Sequence, residues 1–134
     1  MGVAIRVSVI DGATNTVIST ISVGSFPYNV GVNSSTNRIY VTNSQSNTVS
    51  VIDGTTNTVT STVSVGSYPW GVVVNSSRNR IYEANTNSNT VIVIDGATNT
   101  VLSTVSVGSS PLASESIPRQ TVSMWQMLLA IRLV

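Results

Sequence analysis

Valine and isoleucine alternate with serine and threonine in short runs along most of this chain, as in TVTSTVSVG at 58–66. Successive side chains on an extended strand point to opposite faces, so a period of two marks strands and not helices. Each run is bounded by Asn, Asp, Gly, Ser or Pro, the residues that turn a chain. Four strands are predicted in one stretch: VGVN (30–33), RIYVTN (38–43), TVSVID (48–53) and TVTSTVSVG (58–66). Four more follow in the same order: VVVN (72–75), RIYEAN (80–85), TVIVID (90–95) and TVLSTVSVG (100–108). A half set comes first, with VSVID at 7–11 and TVISTISVG at 16–24. VGVN and VVVN are nearly all small or β-branched, as strands buried on both faces are. The TVTSTVSVG strand has one face suited to water.

The order repeats because the sequence repeats. VIDGATNTV at residue 9 returns as VIDGTTNTV at 51 and VIDGATNTV at 93, a spacing of 42 residues each time. Residues 26–67 align with 68–109 without gaps, and 30 of the 42 positions are identical. NSSTN (33–37) and NSSRN (75–79) suit tight hairpins, because Asn and Ser bond their own backbone and Asn tolerates left-handed φ. Asp11-Gly12, Asp53-Gly54 and Asp95-Gly96 open the next hairpin, with glycine expected to take positive φ. Pro27 and Pro69 break the chain before the next unit, since proline cannot donate to a ladder.

Four antiparallel strands per 42 residues describe one blade of a β-propeller. The expected fold is all-β, a partial propeller of about two and a half blades: a half blade at 7–25, then blades at 26–67 and 68–111. Tyr40-Val41-Thr42-Asn43 followed by SNTVSVIDG-TTNTV resembles the YVTN family of propeller repeats, seen in archaeal and bacterial surface-layer and secreted proteins. The resemblance covers about residues 7–111 and rests on motif, spacing and strand order together. It implies a cell-surface or extracellular location and a binding or scaffold role, and it carries over no catalytic residue. The second copy departs from the motif at Tyr82-Glu83-Ala84-Asn85. A charge in mid-strand needs a partner, and Arg78 or Arg80 is the expected one.

The repeat stops after Pro111, where LASESIPRQTVSMWQMLLAIRLV replaces the expected WGVVVNSS-type start. Reading from the third base of the Leu112 codon, synonymous codon choices spell GVGVNSATNRVYVANAASDTVS, the missing blade in register. Met124, Trp125 and Met127 have single codons, and their overlaps supply Val, Ala and Ala where a YVAN-type segment needs them. Residues 1–6, shifted the same way, can encode NGSSNT. Residues 112–134 and 1–6 are therefore expected to be frameshifted ends of a truncated fragment, outside the repeat. The nucleotide sequence decides this.

Composition narrows the function. Only 8% of residues are charged and the net charge is +1, too little for a nucleic-acid or lipid-headgroup field. With no His and no Cys, imidazole and thiolate metal sites are excluded, and no catalytic set or cofactor site is expected. No stretch reaches the roughly 20 apolar residues of a membrane span, and the start lacks the order of a signal peptide.

The remaining candidates are few. Asp11, Asp53 and Asp95 recur with oxygen-bearing neighbours, but one carboxylate per turn suits turn formation better than calcium. Phe26, Tyr28, Tyr68 and Trp70 flank prolines and form either a ligand platform on one face or packing between blades, the plainer reading. Arg78, Arg80 and Glu83 form a candidate anion-reading cluster, or else a paired surface group. Asn33-Ser34-Ser35 and Asn75-Ser76-Ser77 match the glycosylation acceptor pattern.

The leading functional expectation is a non-catalytic surface module binding an unknown protein or glycan. The alternative is a fragment of a propeller enzyme whose catalytic residues lie elsewhere; an ice-binding solenoid ranks last, because its coils repeat at a shorter period. Open blade edges are expected to make the isolated fragment self-associate.

Overall fold

The computed structural model describes residues 5–112, which contain ten strands and no helix. The strands are β1 (Arg6–Asp11), β2 (Thr16–Ser22), β3 (Pro27–Asn33), β4 (Arg38–Asn43), β5 (Thr48–Asp53), β6 (Thr58–Ser64), β7 (Pro69–Asn75), β8 (Arg80–Asn85), β9 (Thr90–Asp95) and β10 (Thr100–Ser106). They form three antiparallel sheets in sequence order: β1–β2, β3 to β6, and β7 to β10. The first sheet is a half blade of outer strands, and the other two are full blades. The segments expected to be out of frame, 1–6 and 112–134, fall outside the described residues except for Ile5, Arg6 and Leu112.

One device makes every hairpin. Seven four-residue turns end in Asn15, Asn37, Asn47, Asn57, Asn79, Asn89 and Asn99, each with φ between 49° and 56°. Asparagine accepts this left-handed conformation more readily than other residues with a Cβ. The Asp-Gly turns use it too, so the expectation for their glycines is corrected: no glycine among the described residues has positive φ. Gly54 is small for a different reason. Its N–H donates to the Asn37 carbonyl at 2.9 Å, and a Cβ would run into the Asn37 amide. Gly96 meets Asn79 in the same way.

The aspartates of these turns act locally. Asp53 Oδ1 accepts the N–H groups of Thr55 and Thr56 at 2.8 and 3.1 Å, and Asp95 Oδ1 does the same for Ala97 and Thr98 at 2.7 and 3.2 Å. Asp11 repeats the pattern with Ala13 and Thr14. These are Asx turns, and the turn-forming role expected of the three residues is what the geometry shows.

The innermost strands begin three residues earlier than the alternation suggests. Phe26, Tyr68 and Ser110 turn the chain with φ of 58°, 57° and 55°, and proline follows each. Pro27 and Pro69 then pair with Asn43 and Asn85 at the strand end, where a missing N–H costs nothing. On the outer side, β2, β6 and β10 each bulge against their neighbour after the second residue, at Ile18, Thr60 and Leu102. A bulge adds one residue and increases local twist.

Apolar faces of adjacent sheets close two seams. Tyr40, Val49, Val51 and Val63 of the first full blade pack on Val72, Ile81, Ile92 and Ile94 of the second. Ile21 of the half blade packs on Val41 and Ile52, with Val7, Val9, Ile39 and Val59 around them. β7 lies across β3 and β4, whereas the backbones of the half blade and the first full blade come nearest at β2 and β6. The expectation that both innermost strands are buried on two faces therefore fails for β3. Val30 and Val32 are exposed, although their equivalents Val72 and Val74 are buried and half-buried, because the described residues of the half blade include no inner strands to cover them.

Candidate functional site

The starts of β3 and β7 bring three of the four predicted aromatic residues together. Tyr28 and Trp70 lie with ring centroids 3.8 Å apart and planes tilted by 41°, and Tyr68 stands 5.9 Å from Trp70. Phe26 and Tyr28 keep their outer faces exposed. The Tyr28–Trp70 contact joins one blade to the next, so these rings pack between blades and also present a ledge to solvent.

Hydroxyl groups fix the ledge from below. Thr42 Oγ1 donates to the Trp70 carbonyl at 3.0 Å and accepts the Asn29 N–H at 3.0 Å. Ser44 Oγ donates to the Pro69 carbonyl at 2.7 Å, and Thr86 Oγ1 donates to the Pro111 carbonyl at 3.1 Å. Asn47 Oδ1 accepts the Tyr68 N–H at 2.9 Å, as Asn89 does for Ser110. Neither Thr42 nor Ser44 stands out in the sequence. Neither recurs: the second blade has Ala84 and Thr86 there, keeping a hydroxyl only at the second position.

Glu83 does not join the arginines. Arg80 pairs with Asp95 at 3.0 Å, and Arg38 makes the equivalent ion pair with Asp53. Arg78 is exposed. Glu83 lies opposite Val72 and Ile92, on the other face of β8 from Arg80, and is fully buried in the seam between the full blades. Neither carboxylate oxygen has a hydrogen-bond partner, and neither side-chain atom of the buried Asn85 nearby has one. Burial pushes the Glu83 pKa up to about 8, and the proximity of Asn85 offsets this only in part. The Arg78–Arg80–Glu83 cluster is thus taken apart by strand alternation. The two aspartates move the other way: the turn N–H groups of Thr56 and Thr55 hold Asp53 below the ordinary carboxylate value, and those of Ala97 and Thr98 hold Asp95.

The two glycosylation-pattern asparagines are also occupied. Asn33 is buried and donates to Asn79 Oδ1 at 2.9 Å, while buried Asn75 accepts the Ser77 hydroxyl and the Arg78 N–H. Neither presents its amide to solvent. Among the described residues no three acidic side chains gather as a metal site would need.

No family model and no curated protein matches the sequence. Among solved structures the similar folds are propellers. Hydrazine synthase of Kuenenia stuttgartiensis matches with a TM-score of 0.76 and 24% identity, over 80% of this chain and 31% of that one. Apo AztD of Citrobacter koseri gives 0.67 and 19%, over 78% and 30%. Dihydro-heme d1 dehydrogenase NirN, in complex with DHE, gives 0.67 and 13%, over 75% and 22%. The chain is a partial β-propeller. It spans about a third or less of the length of each of these proteins.

Proposed function

We propose that this chain is part of a non-catalytic binding and scaffold module of the YVTN type, secreted or displayed at the cell surface. Its recognition surface is the ledge of Tyr28, Tyr68 and Trp70 together with the exposed Phe26, and its ligand is a glycan or a protein surface. One observation carries this reading. Four of the twelve differences between two otherwise near-identical blades fall in the first six positions of the unit, at Phe26/Tyr68, Tyr28/Trp70, Asn29/Gly71 and Gly31/Val73. Three of those four positions line or adjoin the ledge. Four more fall in the stretch that underlies the ledge, at Val41/Glu83, Thr42/Ala84, Ser44/Thr86 and Gln45/Asn87, whereas the outer strand differs only at Thr60/Leu102. Stacked, partly exposed aromatic rings offer large apolar area with little conformational freedom to lose on binding.

Trp70 reports on its own site once Trp125 is replaced. In a Trp125→Phe background, titration with cell-wall and exopolysaccharide fragments is expected to quench or shift Trp70 emission. Tyr28→Ala is expected to weaken that binding by about tenfold or more, the scale of one lost aromatic contact. Unchanged affinity in Tyr28→Ala and Phe26→Ala would place recognition elsewhere.

A second reading, part of a propeller enzyme, draws support from hydrazine synthase and a dihydro-heme d1 dehydrogenase being among the similar folds. Its catalytic groups would come from outside the described residues, since Glu83 is sealed in a seam and Asp53 and Asp95 are held in turns and ion pairs. Metal- or quinone-dependent turnover by the protein carrying its complete ring of blades would favour it.

A further inference from the structure

The two ends of the full blades differ in charge. Residues 26–112 include six charged side chains: Arg38, Asp53, Arg78, Arg80, Glu83 and Asp95. Five of them lie at or beside the β3–β4 and β7–β8 hairpins, where Arg38 is in register with Asn33 and Asp53, and Arg80 with Asn75 and Asp95. The sixth, Glu83, is sealed in the seam. The ledge lies at the other end, where Pro27 meets Asn43 and Pro69 meets Asn85. The turns there, at 44–47 and 86–89, carry only hydroxyls and carboxamides.

Backbone hydrogen bonds pin those turns to the ledge. Ser44 and Gln45 donate their N–H groups to the Phe26 and Ser25 carbonyls at 2.9 and 3.2 Å. Thr86 and Asn87 donate theirs to the Tyr68 and Ser67 carbonyls, both at 3.1 Å. One exposed carboxamide residue, Gln45 or Asn87, is thus held next to the aromatic pair of each full blade. The Tyr28–Trp70 stack joins these two blades, and the strands on both sides of it are described.

We propose that the ledge takes an uncharged polysaccharide, a chain of neutral pyranose units. The proposal rests on the ledge being the recognition surface and names what that surface holds. A pyranose ring has a face of C–H groups and a rim of hydroxyls. Its slightly positive C–H groups suit the negative face of an aromatic ring, and its hydroxyls pair with carboxamides, which both donate and accept. An acidic or basic polymer would shed water from its charges where the full blades offer no opposite charge. A protein surface, with about a quarter of its residues charged, meets the same cost. The set also recurs, as Phe26, Tyr28 and Gln45 and then as Tyr68, Trp70 and Asn87, which suits a ligand of repeating units. Arg6, the equivalent of Thr48, opens β1 at the ledge end of the half blade and is tested separately.

Trp70 emission of the full chain with Trp125→Phe reads the binding. Cellohexaose, mannohexaose and chitohexaose are the neutral probes. Hexagalacturonate and the chitosan hexamer are the charged ones, at about pH 5.5, where the uronates and most of the amines are ionised. A neutral hexamer is expected to bind about tenfold or more tightly than either charged one, with less than about a twofold change up to about 0.5 M salt. Gln45→Ala and Asn87→Ala, both at exposed positions, are expected to keep the fold and to weaken that binding about threefold each. Arg6→Ala is expected to leave it unchanged. A charged hexamer that binds as tightly as the neutral ones, and is lost in Tyr28→Ala, would overturn the neutral class and leave the ledge as the recognition surface. Neutral binding that survives Tyr28→Ala would overturn the ledge itself. No response to any neutral hexamer would also overturn the proposal, and a response to decaproline alone would assign the ledge to a protein partner.

Discussion

Tyr40 and Tyr82 hold the same position in strands that read RIYVTN and RIYEAN, yet one is completely buried and the other half-buried. The difference lies in the neighbour. Tyr40 faces the second full blade across a closed seam, whereas Tyr82 points out of the last described blade. A blade has two apolar faces and cannot cover either by itself, so the energetic weight of a residue depends on where its copy sits in the array. Tyr40→Ala is accordingly expected to cost about 3–5 kcal/mol, as for other large aromatic residues removed from a core. Tyr82→Ala is expected to cost about 1 kcal/mol, the ordinary size for a half-covered site. Urea unfolding of both variants measures the contrast, and equal losses would mean that the two positions are equally packed.

The same two strands differ at a second position, and here the sequence and not the surroundings makes the difference. Val41 packs on the half blade; Glu83, its equivalent, carries an unpartnered carboxyl into the seam between the full blades. Its pKa is raised from 4.5 to about 8. The folded chain therefore keeps the proton through a range in which the unfolded chain has released it. The contribution of Glu83 to stability is at its fullest below pH 4.5 and falls, by about 1.4 kcal/mol per pH unit, as pH rises towards 8. With no His and no Cys in the chain, no other side chain ordinarily titrates in that window. Glu83→Val, which restores the residue of the first blade, is expected to flatten the profile and to stabilise the protein by several kcal/mol at pH 8. Unfolding free energies measured between pH 5 and 8 check it; a flat wild-type profile would contradict a raised pKa for the buried carboxyl.

The strands, their order and the blade period were legible because alternation of Val and Ile with Ser and Thr has only one extended reading. The Asx turns were legible because Asp-Gly-x-Thr-Asn carries its own hydrogen bonds. Burial of Glu83 was not, since RIYVTN and RIYEAN do not say which face meets the neighbouring blade; its register opposite Val72 and Ile92 assigns Glu83 to the seam. The exposure of Val30 and Val32 was hidden for a related reason. VGVN looks like VVVN, and only the missing inner strands of the half blade distinguish them. The aromatic ledge was half legible: the residues were visible, while nothing local to Thr42 and Ser44 says that their hydroxyls reach the start of the next blade.

The three Asp-Gly turns make the finest version of the comparison, because their local sequences are almost the same and their surroundings are not. Gly54 and Gly96 sit against the side chains of Asn37 and Asn79, which end the hairpin between the two inner strands of their blades. The half blade has no such hairpin, and a Cβ at Gly12 would meet nothing within 4 Å. None of the three has positive φ, so alanine fits the backbone at each. Gly12→Ala is then expected to stabilise by about 0.4–1 kcal/mol, through the lost freedom of the unfolded chain. Gly54→Ala and Gly96→Ala must push an asparagine out of its place beside the turn and are expected to destabilise by about 1–3 kcal/mol. Thermal melts of the three variants should therefore separate by sign. A uniform gain would show that the asparagines move aside freely, and a uniform loss that glycine is needed by the turn itself and not by its neighbour.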